Sequence, residues 1–151
     1  MPGSKDYVFV LWGDGFDEAV AIIFITELRE AGLPVRVVGL TPHRLSGARG
    51  LALVSDLTLD QALPLACEVV CLIVPSSSRW GERYKNDPRV SELFKRVNSN
   101  QARFVMGVFD ETMQIRWGLP VLSSENVVVY PEIENMIEFA RETATFLSGS
   151  D

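Results

Sequence analysis

The chain has 151 residues, of which 47% are hydrophobic and 23% charged, and these values are typical of one globular domain with a sizeable core. The net charge of -6 argues against a nucleic-acid-binding protein, because such proteins need a basic surface to displace counterions. No apolar run reaches the roughly 18 residues of a membrane helix, and the opening residues do not read as a secretory signal. Two cysteines are too few for a disulfide framework, so we expect a reduced, cytoplasmic compartment.

Alternating apolar runs and amphipathic segments predict a chain of alternating strands and helices. The predicted strands are residues 7–12, 35–40, 69–74, 104–109 and 126–130. Residues 51–56 could form one arm of a small hairpin, and the polar residues 76–86 indicate a loop. Because the strand runs are continuously apolar, they indicate a mostly parallel central sheet that is covered on both faces. The predicted fold class is therefore an α/β three-layer sandwich, formed by a single domain over residues 1–151.

Three longer helices are predicted around these strands. The first begins near Asp17, where acids suit the positive end of the helix dipole, and it ends at Gly32. The second has Asp87 as its N-cap, with proline at the first helical position, and runs to about Asn98. Pro131 is predicted to begin the last helix. One apolar face of that helix is formed by Ile133, Ile137, Ala140, Ala144 and Leu147.

Ligands of open parallel sheets bind beyond the carboxyl ends of the strands, and three common kinds of site can be tested there. The GDGFDEA segment lacks the third glycine of a dinucleotide-binding turn, and no acid follows the second strand. The phosphate-binding pattern G-x-x-x-x-G-K-[ST] is absent. A phospho-acceptor domain needs a carboxylate after the third strand, where this sequence reads VPSSS. These three kinds of site are therefore rejected, and no cofactor is predicted.

Few residues suit nucleophilic or metal chemistry. Cys71 lies inside a predicted strand and is interpreted as a buried core residue, while Cys67 precedes that strand. His43 is the only histidine and is interpreted as a solvated loop residue. Neither a zinc site nor a Cys–His dyad is indicated, so no metal is predicted. The serines at 76–78 suit either a hydroxyl-rich loop near a ligand or a flexible polar loop.

Three segments, taken in order, resemble one family of proteins. They read GFDEAVAIIFITELREAGLPVRVVGLTP, GARGLALVSDLTLDQA and EVVCLIVPSS, and the similarity resumes at NVVVYPEIENMIEFARETATFL. Their order and spacing resemble the ThiJ/PfpI superfamily, which includes the Parkinson's-disease-associated deglycase and the class I glutamine amidotransferase-like domains. The resemblance implies a flavodoxin-like sandwich and a homodimer. It also implies a catalytic cysteine on the turn after the fourth strand, supported by a glutamate at the start of the first helix.

The sequence departs from that family at three places. The family glutamate matches Glu18, but the cysteine position matches Phe109, or Asp110 if the register differs by one residue. Ser76 and Ser77 stand where the family usually has a glycine pair whose N–H groups stabilise an oxyanion. Beyond this turn the family commonly inserts further structure that supplies a histidine, whereas here only ETMQIRWGLPVLSSE separates the turn from the fifth strand, and it contains no histidine. We therefore expect a divergent member without the nucleophilic cysteine, for which glyoxalase, deglycase, protease and thiol-redox activities are all in question.

Two functions remain open on this evidence. The first is a non-catalytic protein that is retained for binding a small molecule or a protein, with a candidate pocket formed by Asp14, Glu18, Ser76, Ser77, Phe109 and Asp110. The second is a hydrolase- or lyase-type enzyme that uses Glu18 and Asp110. Together with Asp14 and Glu111 these carboxylates would lie near one edge of the sheet, where they would raise one another's pKa and could do acid–base work or hold a divalent cation. A plainer interpretation is that Asp17, Asp110 and Glu111 are helix N-terminal acids that the dipole stabilises.

The first helix also predicts assembly. Its segment AVAIIFI is apolar on most sides, and such a helix is normally buried on most sides. We expect a homodimer with Ile22 and Ile25 at the interface, unless the last helix of the same chain covers this side. Three tryptophans near strand ends or in loops suit either a protein-binding surface or partly buried scaffold: Trp12, Trp80 and Trp117.

Overall fold

The computed structural model describes residues 6–41, 45–76 and 80–149, apart from the side chains of Glu111 and Met113. The strands in these ranges are β1 (Tyr7–Trp12), β2 (Val35–Gly39), β3 (Leu57–Thr58), β4 (Val69–Val74), β5 (Arg103–Met106) and β6 (Val127–Val129). They form one sheet in the order β3-β2-β1-β4-β5-β6, and neighbouring strands are all parallel. The predicted α/β architecture with a parallel central sheet is confirmed.

Helices cover both faces of this sheet. They are α1 (Glu18–Glu30), α2 (Leu59–Ala62), α3 (Trp80–Tyr84), α4 (Pro88–Ser99), α5 (Glu111–Arg116) and α6 (Met136–Ser148). Helices α1 and α6 pack against each other, and an ion pair of 2.9 Å between Glu27 and Arg141 joins them. Helix α4 packs against α2 and the 3-10 turn Leu63–Glu68 in the other layer. Because the sheet is covered on both sides, Val8 to Trp12 in β1 are completely buried.

Two strand predictions differ from the structure by more than one residue at an end. Strand β5 ends at Met106 rather than at Phe109, and the chain turns at Gly107. A Cβ atom at Gly107 would lie 2.5 Å from the Ser76 carbonyl oxygen and 2.7 Å from the Tyr130 hydroxyl, so this close approach requires glycine. The expected hairpin arm at 51–56 is reduced to one antiparallel bridge between Ser46 and Ala52.

The prediction for the last helix is wrong in its start and in part of its buried face. Helix α6 begins at Met136, after a 3-10 turn over Ile133–Asn135, and not at Pro131. The later start places Met136 against the core, together with Ala140 and Ala144 one and two turns further on. Ile133 and Ile137 are consequently 51% and 47% exposed.

The segment predicted as a polar loop contains helix α3. Its residue Trp80 is buried, and its indole stacks on the Phe94 ring of α4 at 5.5 Å. Gly81 lies so close to Trp117 that a Cβ atom there would overlap the indole. All three tryptophans thus form part of the core, and Trp12 is fully buried. None of the described helices combines the length and apolar character needed to cross a membrane.

Candidate functional site

The candidate site lies where α1 begins, beside the carboxyl ends of β1, β4 and β5. The Asp17 backbone N–H donates to the Pro75 carbonyl at 2.7 Å, which ties the start of α1 to the residue after β4. Asp17 is also the N-cap of α1, because its Oδ1 accepts from the Val20 N–H at 3.1 Å. These bonds fix Glu18, the first residue of the helix, at the edge of the sheet where ligands of this architecture bind.

Glu18 is nearly buried, with 5% of its surface exposed. Its Oε2 accepts hydrogen bonds from the backbone N–H groups of Arg49 at 2.7 Å and Leu51 at 3.0 Å. Gly47 makes room for this arrangement, because a Cβ atom there would overlap the Glu18 carboxyl group. Glu18 therefore anchors the loop 46–51 to the start of α1.

The charge state of Glu18 follows from these contacts. Burial by itself raises the pKa of the carboxyl group, but the hydrogen bonds from the Leu51, Glu18 and Arg49 N–H groups and the Arg49 charge outweigh burial. The pKa of Glu18 lies below its ordinary value of 4.5, so the side chain is a carboxylate at neutral pH. Its second oxygen, Oε1, is buried and has no hydrogen-bond partner within the described residues.

Asp14 is part of a different set of contacts. Its Oδ1 accepts from the Ser46 N–H at 3.0 Å, and its Oδ2 lies 3.3 Å from the Arg83 guanidinium. Its own N–H donates to the Tyr84 hydroxyl at 3.1 Å. Burial raises the pKa of Tyr84, so this hydroxyl stays neutral at physiological pH. Asp14 thus joins the turn after β1 to the loop 46–51 and to α3.

The turn after β5 carries neither a thiol nor a hydroxyl group. It consists of residues 107–110, and Phe109 is partly buried against the core. Asp110 directly precedes α5: its Oδ1 accepts from the Thr112 N–H at 2.8 Å, and its carbonyl accepts from the Gln114 N–H at 2.9 Å. The non-glycine residues with positive φ in the described chain are Asp6 and Gln101, so none of them lies in this turn.

The two cysteines are far from this turn in the fold. Cys71 lies in the middle of β4, is completely buried and has a pKa that burial raises to about 12. Cys67 is exposed in the 3-10 turn that precedes β4, at the amino-terminal ends of the strands. Neither thiol lies at the carboxyl edge, and the predicted core role of Cys71 is confirmed.

The structure brings together only some of the predicted pocket residues. Asp14 and Glu18 both contact the loop 46–51, and Ser76 is buried beside Gly107. Each of the acids at 14, 18 and 110 has its own backbone partners, so they do not form one carboxylate cluster. No group of three or more potential metal ligands occurs within the described ranges. Ser77 and His43 lie outside them.

Sequence reasoning missed Tyr130, which follows β6. Its hydroxyl is buried next to Gly107 and has no hydrogen-bond partner among the residues that the structure describes. Burial, with a smaller contribution from the Asp17 charge, raises the pKa of Tyr130 well above its ordinary value. The available signal was a polar-tipped aromatic residue directly after an apolar strand, since such positions face the carboxyl edge.

A separate cavity of about 450 Å³ lies beyond the carboxyl ends of β2 and β3. Its polar lining includes Thr41, Ser55, Asp56 and Gln61. Asp56 is already engaged, because its Oδ2 accepts from the Val37 N–H and from Arg29, both at 2.8 Å. This cavity contains none of the predicted pocket residues.

The DJ-1/PfpI family model matches residues 6–144, so the chain belongs to the DJ-1/PfpI family. No curated protein matches the chain in sequence. Among solved structures, it is similar to a mutant of a DJ-1 superfamily protein from Salmonella typhimurium and to DJ-1beta from Drosophila melanogaster. Each has 18% identity and a TM-score of 0.79, over 97% of this chain and 92% of the other. It is also similar to oxidized DJ-1 from Toxoplasma gondii, at 15% identity and a TM-score of 0.70, over 95% and 96% of the two chains. At these identities the likeness establishes the fold alone.

Proposed function

We propose that this member of the DJ-1/PfpI family is non-catalytic and acts as a homodimer by binding a small molecule or another protein. The observation that carries the proposal is the placement of the two cysteines. The chain has no other cysteine, and both lie away from the turn after β5, where the sequence reads Gly107-Val108-Phe109-Asp110. A phenyl ring cannot attack a carbonyl carbon or be oxidised to a sulfenic acid.

The environment of Glu18 supports the same proposal. Oε2 of Glu18 accepts hydrogen bonds from the Arg49 and Leu51 N–H groups and so holds the loop 46–51. We infer that Glu18 is retained because it supports this loop, and that the loop and α1 present the binding surface. Because both cysteines are free thiols, we place this function in the cytoplasm, where thiols are kept reduced.

The test is turnover of methylglyoxal by the purified protein, with a thiol-dependent glyoxalase as the positive control. We expect no turnover above the rate without protein, and the same result for a Cys67→Ser, Cys71→Ser double variant. Peroxide treatment followed by peptide mass spectrometry should show no adduct on residues 107–110. Turnover that survives removal of both thiols would contradict the proposal, because another residue would then do the chemistry.

One observation favours the second candidate, an acid-based hydrolase or lyase. The buried Oε1 of Glu18 has no partner within the described residues, so it is able to accept a hydrogen bond from a substrate or a water molecule. Screening against ester and amide substrates, with Glu18→Gln and Asp110→Asn variants, separates the two functions. The enzyme hypothesis requires activity that Glu18→Gln abolishes, whereas the binding hypothesis predicts no activity in any variant.

A further inference from the structure

Strand β6 forms an open edge of the sheet. It pairs with β5 on one side, and no strand pairs with its other side within the described residues. The segment between β5 and β6 folds into α5 and the 3-10 turn Ser124–Asn126 and so contributes no strand. An exposed edge of this kind presents unpaired backbone N–H and C=O groups that can pair with another chain.

One backbone hydrogen bond shows which residues of β6 direct their N–H and C=O groups towards β5. The Tyr130 N–H donates to the Met106 carbonyl at 3.0 Å, so residues 128 and 130 direct their backbone groups towards β5. Because these groups alternate along a strand, the N–H and C=O of Val129 point to the open side. The Val129 side chain is 50% exposed. Val129 therefore offers both a backbone donor and an apolar side chain to an added strand.

A narrow slot lies beside this edge, between the sheet and α6. It has a volume of about 200 Å³, and its apolar lining is formed by Val105 and Val128 on the sheet and by Phe139 and Phe146 on α6. The Arg103 guanidinium lies over the Phe146 ring at 3.8 Å. A strand added next to β6 would direct alternate side chains to the same face as Val128. An aliphatic side chain on that face would lie next to Val128, which lines the slot.

The surface around the edge is acidic. Five exposed glutamates flank β6 in sequence or lie on the adjoining part of α6: Glu125, Glu132, Glu134, Glu138 and Glu142. None of them forms an ion pair with another described residue. The only basic residue between positions 124 and 142 is Arg141, which is bonded to Glu27 of α1, and Arg103 of β5 is the one basic residue that lines the slot. This charge disfavours pairing with a second copy of the edge, because the two acidic surfaces would repel, and it favours a basic partner.

We propose that the β6 edge is a docking site for an extended segment of a partner protein in which Lys or Arg alternates with aliphatic residues. The segment would add a seventh strand beside β6. Backbone hydrogen bonds to Val129 would give affinity, an aliphatic side chain would occupy the slot, and the basic side chains would meet the glutamates. The inference rests on the exposed edge strand β6 and not on the candidate site around Glu18, so its failure would leave the proposed function unchanged.

The probe is a fluorescein-labelled nonapeptide of alternating lysine and valine with blocked ends, measured by fluorescence anisotropy in 0.15 M NaCl. We expect saturable binding of this peptide and none of a matched peptide with glutamate in place of lysine. Val129→Pro removes the outward N–H while leaving the bonds of residues 128 and 130 to β5, and proline is tolerated on an edge strand. It should weaken binding about tenfold, whereas Val129→Thr should bind within about twofold of the original protein.

The charge variants test the second half of the proposal. The double change Glu134→Lys, Glu142→Lys should weaken binding of the lysine–valine peptide at least about tenfold and permit the glutamate peptide to bind. The control Glu30→Lys changes an exposed acid at the end of α1 and should leave both affinities unchanged. Circular dichroism and melting temperature establish that each variant is folded.

Three results would overturn the proposal. The first is that the basic peptide does not bind to the original protein. The glutamates would then serve to protect the edge against pairing with other strands. The second is equal binding of both peptides. The third is a dimeric protein that Val129→Pro converts to a monomer, because the edge would then be occupied by a second copy of this chain.

Discussion

The carboxylate of Glu18 and the backbone N–H of Arg49 are joined by a hydrogen bond of 2.7 Å across 31 residues of sequence. The bond connects the first turn of α1 to the loop 46–51, and Leu51 donates to the same oxygen. A carboxylate that accepts backbone N–H groups is stabilised in its charged form. Folding of the loop is thereby linked to the ionisation of Glu18.

Replacing Glu18 by glutamine tests this linkage. The folded-state pKa of Glu18 is depressed, so its stabilisation is fully present above the ordinary value of 4.5 and is lost as the pH falls through the lower folded-state pKa. We expect Glu18→Gln to lower the melting temperature at pH 7, with a deficit that shrinks below about pH 4.5. Thermal unfolding over a series of pH values measures this, with the exposed Glu30→Gln as the control. A deficit that grows on acidification would contradict the assignment.

Gly47→Ala should destabilise the protein by about 1 to 3 kcal/mol, because the added Cβ atom would overlap the Glu18 carboxyl group. The φ angle at Gly47 is not positive, so steric overlap rather than backbone strain causes the loss. Urea denaturation gives the free energy of unfolding. In a Glu18→Ala background the overlap is removed, so Gly47→Ala should then cost much less. Strictly additive effects would show that the two residues do not interact.

The two cysteines should differ sharply in their reactivity towards alkylating reagents. Cys67 is exposed, whereas Cys71 is completely buried and its pKa is raised to about 12. Because the thiolate is the reactive species, iodoacetamide at pH 8 should modify Cys67 alone in the folded protein and both residues in denaturant. Peptide mass spectrometry identifies the modified residues. Rapid modification of Cys71 without denaturant would mean that β4 opens far more easily than its burial implies.

The N-cap of α1 gives a further test. Asp17→Ala removes the oxygen that accepts from the Val20 N–H and should destabilise the protein by about 1 kcal/mol. Asp17→Asn keeps an acceptor of the same size and should cost clearly less. Both values come from urea denaturation at pH 7. Equal losses for the two variants would assign the effect to the charge of Asp17 rather than to its hydrogen bond.

The central strands could be predicted closely, whereas the contacts of the site could not. Residues 7–12 and 69–74 match β1 and β4 because both strands are buried on both faces, which requires continuous apolar runs. The apolar run after Met106 continues past the end of β5, since Phe109 packs outside the sheet ladder. An apolar run therefore records burial and not hydrogen bonding, and here it overestimates the length of the strand.

The position of Glu18 was predictable, but its partners were not. An acid at the first turn of a helix that follows a buried strand is a signal in the sequence. The Arg49 and Leu51 groups that bind it are backbone N–H groups, which every residue except proline has, so no residue type marks them. Asp14, Glu18 and Asp110 could likewise be placed at one edge of the sheet from the sequence. Their separation could not be predicted, because each accepts from a different set of backbone N–H groups.

The homodimer prediction rests on Ile22 more than on Ile25. Ile25 is 9% exposed because its own chain covers that side of α1, and α6 packs along the helix. Ile22 is 38% exposed and remains available to a second molecule. We expect light scattering to give twice the chain mass of 16.8 kDa at micromolar concentration.

The two isoleucines then provide matched variants. Ile22→Glu should produce a folded monomer, because it places a charge in the interface and not in the core. Ile25→Glu should instead destabilise the chain itself, since it buries a carboxylate without a partner. Ile115→Glu, at a position that is 68% exposed on α5, should change neither mass nor melting temperature. A monomeric original protein, or a dimer that survives Ile22→Glu, would show that α1 does not form the interface.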